Sequence, residues 1–154
     1  MIRKFRNWLR RTSEPVDTVP VQDVMQLSVA VLLVEIARAD YDHKEVEFRE
    51  MQKQLARRFD LSDDAAAELL HVAEKRVEDS VSLHEFTRAL HAKMSYAEKE
   101  AVIEMLWRIA LADQDLDKYE DYMIGKIAEL LYIYRSDVIR LKQRVLESIS
   151  VADD

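Results

Sequence analysis

The chain has 154 residues, a net charge of −7 and no cysteine, which suits one domain with a sizeable core and excludes both a disulfide frame and a thiolate metal site. One glycine and two prolines leave too few turn residues for strands and elaborate loops, so an all-α fold with tight connections is expected. The lone Gly125 also excludes the glycine-patterned phosphate loop, dinucleotide fingerprint and nucleophile elbow, and with them most common enzyme classes.

Residues 1–11 read as a short amphipathic helix, because at about 100° per residue Met1, Ile2, Phe5, Trp8 and Leu9 share one face. The other face holds Arg3, Lys4, Arg6, Arg10 and Arg11, giving this piece +5 and leaving −12 on the remainder. Such asymmetry marks a partner surface: either an anionic membrane is docked by residues 1–11, or the piece folds back on the acidic core as an eighth helix. Residues 12–20 contain both prolines and read as a linker, followed by a helical domain over residues 21–150 and a short tail, 151–154. The longest apolar run, residues 29–34, is too short to span a bilayer, and no apolar signal core follows the basic start. A cytoplasmic protein is expected, peripheral at the inner face of the membrane if residues 1–11 dock there. The acidic body disfavours nucleic acid as a partner.

Seven helices are expected in the body. The first runs from near Pro20 to about Ala39 and is apolar nearly all round at Val31, Leu32, Leu33 and Val34, so it should be central. Val46, Met51, Leu55, Phe59 and Leu61 mark the second; Ser62 caps a third carrying Leu69, Leu70, Ala73 and Val77. Ser82 with Glu85, and Ser95 with Glu98, are capping boxes that open a short fourth helix and a long fifth one containing Met105 and Trp107. The sixth covers about residues 118–132 and includes Gly125, which points to a close helix crossing; the seventh opens at Ser136 and presents Val138, Leu141, Val145 and Ile149. Tyr132 and Tyr134 are expected in the core, and His84 and His91 half-buried.

Two stretches repeat. Leu33, Ile36, Ala37, Ala39, Asp40, Asp42 and Glu47 recur 73 positions later as Leu106, Ile109, Ala110, Ala112, Asp113, Asp115 and Glu120 without a gap. Each copy is an apolar helix, an acidic turn and a second helix. Capping explains part of the acidity, since Asp42 with Glu45 and Asp117 with Glu120 fit capping boxes. It explains less well Asp40 and Asp113, which end a helix where negative charge is disfavoured, and clustered like charge there suggests a counter-ion. Asp40, Asp42, Glu47, Asp113, Asp115 and Glu120 form an all-oxygen set suited to a divalent cation, Ca²⁺, Mg²⁺ or Mn²⁺, in one site per turn or one shared site. This is not an EF-hand: counted from Asp113, Lys118 replaces the required glycine and Ile124 the bidentate glutamate. Glu68 and His71 have the spacing of a di-iron ligand pair, but the second copy is missing.

The Ala-x-Ala-Asp helix end, the acidic turn and the following glutamate resemble the tellurite resistance protein B (TerB) family. Further matching text lies at Phe59 to Ser62, at Leu83 to Phe86, at Met94 to Glu98 and at Glu104 to Trp107, and the likeness covers roughly residues 25–145. It implies a compact seven-helix bundle, a role in stress or tellurite-resistance systems rather than catalysis, and a negatively charged surface binding metal at these acidic positions. Tyr41 and Gln114 depart from the family, which has glycine there. A TerB-like domain also accompanies a J-domain in some proteins; no His-Pro-Asp occurs in this chain, so that activity is not implied. A protein partner is expected, with the basic residues Arg135, Arg140, Lys142 and Arg144 able to complement an acidic one.

Overall fold

In the computed structural model, residues 21–38, 44–78, 83–112 and 118–153 are described. They form seven α-helices and no strand: α1 Val21–Ala37, α2 Lys44–Phe59, α3 Asp63–Glu78, α4 Leu83–Lys93, α5 Tyr96–Ala110, α6 Lys118–Leu130 and α7 Arg135–Asp153. The amphipathic helix and linker expected over residues 1–20 lie outside the described residues. α7 continues to Asp153, with neither proline nor glycine to interrupt it.

α1 is the axis of the bundle, packing against α2, α3, α4, α5 and α6. Its residues Val29, Ala30, Val31, Leu32, Leu33, Val34 and Ile36 are all buried, so a helix without a polar stripe finds apolar neighbours on every side. α5 packs beside it, and Leu33, Ile36, Leu106 and Ile109 are fully buried, as the repeated pattern requires. α7 forms an outer layer against α5 and α6 through Val138, Leu141 and Val145.

With one glycine in the chain, helix ends are built from other residues. Asp60 and Tyr132 take left-handed φ values of 54° and 60°. Beyond them, Leu61 N–H donates to Ala56 O at 3.0 Å and Ile133 N–H to Ala128 O at 2.9 Å, the six-to-one bond of a Schellman cap. Starts follow the sequence more directly. Ala65 N–H donates to Ser62 Oγ at 3.1 Å, and Ser95 and Glu98 form the expected reciprocal capping box.

Three expectations fail. Tyr132 and Tyr134 are 71% and 72% exposed, because the left-handed turn after α6 swings residues 131–134 so that only Leu131 and Ile133 face inward. His84 and His91 are exposed, lying on the outward side of α4 while Phe86, Thr87, Ala89 and Leu90 fill its buried side. Gly125 meets no close helix crossing among the described residues, since a Cβ there would have no atom within 4 Å.

Candidate functional site

The two acidic turns follow helices that end at matched positions. Ala37 and Ala110, matched positions of the repeat, are the last residues of α1 and α5, and α2 and α6 begin at Lys44 and Lys118. Asp40, Asp42, Asp113 and Asp115 lie outside the described residues. Glu47 lies on α2, with its side chain likewise undescribed. Glu120 is described: it stands in the first turn of α6 and is fully buried, the one carboxylate so placed among the described residues.

Removing a carboxylate from water costs several kcal/mol, on the order of that for any buried ion, unless positive charge or donors face it. The start of a helix supplies part of that, with free N–H groups and the positive end of the dipole. The donor set of the turn, alternate aspartates followed by Glu120, is hard oxygen throughout and fits a hard divalent cation better than a soft one. Beside the other turn, burial pushes the Glu35 carboxyl above its ordinary range, while the Arg38 guanidinium at 3.8 Å pulls it partly back. Among the described residues, no group of three or more histidines and carboxylates is disposed to hold a metal ion.

Two features escaped the sequence reading. Lys99 is buried on α5, with Nζ 2.5 Å from His91 Nδ1, and desolvation holds its amine below the usual lysine range. Its spacing from Val102, Ile103 and Leu106 places it on the apolar stripe, a signal that was available. The second is an open groove of about 590 Å³ between α6 and α7, floored by Trp107. Trp107 Nε1 donates to Val138 O at 3.1 Å, and the Lys142 ammonium sits 5.2 Å from its ring centroid while donating to Asp121 at 3.3 Å. Nothing in the hydrophobic periodicity announces such a groove, because it arises from how far apart two helices diverge.

Polar ties fasten α7 to α5. Tyr96 OH donates to Asp137 Oδ2 at 2.5 Å and accepts from Tyr134 N–H at 3.1 Å, and Arg140 pairs with both Glu100 and Asp137. Burial and the neighbouring Asp137 push the Tyr96 hydroxyl above the usual phenol range. No described helix is long and apolar enough to cross a membrane.

A family model described as tellurite resistance protein TerB matches residues 26–143. No curated protein and no solved structure matches the chain. The matched span takes in both acidic turns and runs from within α1 into α7, so the chain belongs to the TerB family.

Proposed function

We propose that this chain is a non-enzymatic TerB module that binds a divalent cation at its acidic turns and works in stress or tellurite-resistance systems. The observation that carries this reading is the full burial of Glu120 in the first turn of α6, directly after the turn that holds Asp113 and Asp115. Asp40, Asp42 and Glu47 take the equivalent places in the other copy. Bound there, the cation would supply a fixed positive charge against which the ends of the framing helices are ordered. The non-enzymatic part rests on composition: the chain has no cysteine and no glycine-patterned loop.

Isothermal calorimetry with Ca²⁺, Mg²⁺ and Mn²⁺ tests it. The intact chain is expected to give a saturable heat that Asp113→Asn with Asp115→Asn abolishes at one turn and Asp40→Asn with Asp42→Asn at the other. Flat traces for all three cations at about millimolar concentration, the weak end for calcium modules, would overturn the reading and leave the acids as helix caps.

The +5 charge and the Phe5 and Trp8 face of residues 1–11 favour a second reading, a peripheral adaptor at the anionic inner face of the membrane. Each basic residue near an anionic leaflet contributes about 1 kcal/mol, so binding should be reversible and salt-sensitive. Co-sedimentation with phosphatidylserine vesicles should fall on deletion of residues 1–11. Equal pelleting of both forms excludes the docking role.

A further inference from the structure

The groove between α6 and α7 lies on the opposite side of α6 from Glu120 and needs no cation. Its outer walls carry apolar side chains that no described residue covers. Tyr122 is 64% exposed and Ile139 52%, and one heptad along α7 Leu146 continues the stripe at 37%. Large side chains left in water on two adjoining helices form a patch of the kind that marks an interaction surface.

Gly125 stands in the wall of this groove. A glycine inside a helix costs stability against alanine, and its usual compensation is a neighbour packed too closely for a side chain. Among the described residues that neighbour does not exist, as an added Cβ would touch nothing. The opening at Gly125 therefore lets a backbone from outside approach α6 closely.

Charge selects the occupant. Three of the five charged side chains lining the groove, Lys126, Arg135 and Lys142, are cations in a chain whose net charge is −7. Lys142 is already engaged by Asp121 at 3.3 Å, while Lys126 and Arg135 make no ion pair with described residues. A partner bearing carboxylates complements this rim, whereas the basic residues 1–11 of the chain itself do not. The groove is bounded by two helices without a free sheet edge, and α6 is about 20 Å long, so a third helix of several turns fits it in the helix-in-groove manner.

We propose that the groove between α6 and α7 docks an acidic amphipathic helix of a partner protein, whose apolar face meets Tyr122, Ile139 and Leu146, whose backbone crosses at Gly125, and whose carboxylates meet Lys126 and Arg135.

The test uses the full chain labelled with ¹⁵N and a capped synthetic helix of about 18 residues, five turns. The probe carries leucines at i, i+3, i+4 and i+7 spacing with glutamates beside them, and its twin has lysine for every glutamate. The glutamate helix is expected to shift the amide resonances of Tyr122, Gly125, Lys126 and Ile139, and the lysine twin to leave them in place. Gly125→Leu should weaken binding at least about tenfold, equivalent to about 1.4 kcal/mol, with the melting temperature unchanged or raised. Gly125→Ala should raise it. Lys126→Glu with Arg135→Glu should reverse the preference between the twins. Equal binding of the twins, shifts confined to other helices, or no shift with either helix at about millimolar concentration overturns the proposal. Two results would overturn it in favour of another occupant. One is a dimer in sedimentation equilibrium that Gly125→Leu dissociates, which assigns the groove to a second copy. The other is movement of the groove resonances on deletion of residues 1–11, which assigns it to the chain's own N-terminal segment.

Discussion

Lys99 shows how a charge can sit in this core at a cost. Its amine is buried on α5, where desolvation lowers its pKa from the ordinary 10.5. Between the lowered folded pKa and 10.5 the unfolded chain binds the proton more readily, so the penalty is fully present below that window and is relieved as pH rises through it. Lys99→Met should therefore raise the melting temperature at neutral pH, and the advantage should shrink as pH approaches the unfolded lysine value. Scanning calorimetry across that range checks it; an advantage independent of pH would mean that packing alone was changed. The carboxylate counterpart is Glu98, whose pKa is lowered by its bonds to Ser95, so the capping-box stabilisation is present above the ordinary glutamate value of 4.5 and is lost as pH falls through the folded one. That box was readable from Ser95 and Glu98 because capping is a matter of spacing along the chain. Tyr132 and Tyr134 were not readable in the same way: their exposure depends on a left-handed residue at the end of α6, and tyrosine gives no sign of one.

Among the elements, α1 and α5 decide the architecture. Both carry the repeated Leu-x-x-Ile pair, both end at a repeat-matched alanine, and the four apolar side chains are fully buried. Leu106→Ala should cost about 2–5 kcal/mol, since a large fully buried side chain would leave a cavity that surrounding helices only partly close. Urea denaturation measures it. A cost below about 1 kcal/mol would mean that the site collapses freely around the loss and that this contact is not central. Element identities follow from 3.6-residue periodicity and from the scarcity of glycine and proline, which is why seven helices were legible in the sequence. The site is a different matter. Periodicity falls silent in the acidic turns, and acids at helix junctions have two physical explanations, capping and cation binding, that share the same residues. Gly125 illustrates the limit from the other side: its cost within α6 is evident from sequence, but only the structure shows the empty space beside it among the described residues.

At the scale of the whole molecule, a helix apolar on every face is wrapped by five others, and α7 is fastened across α5 and α6 as the last layer. The bundle is thereby divided into a deep side, where α1 packs against α2 to α6, and a shallow side, where α6 and α7 part over Trp107. Trp107 is one of two tryptophans, the other being Trp8 in the N-terminal segment. Its indole is 2% exposed, bonded to the α7 backbone through Val138 and overlain by the Lys142 ammonium. The protein thus contains its own optical gauge. In a Trp8→Phe chain the remaining emission comes from a ring whose surroundings change the moment α7 lifts away. The departure and return of that outer helix can then be timed by stopped-flow fluorescence, separately from the melting of the helices behind it.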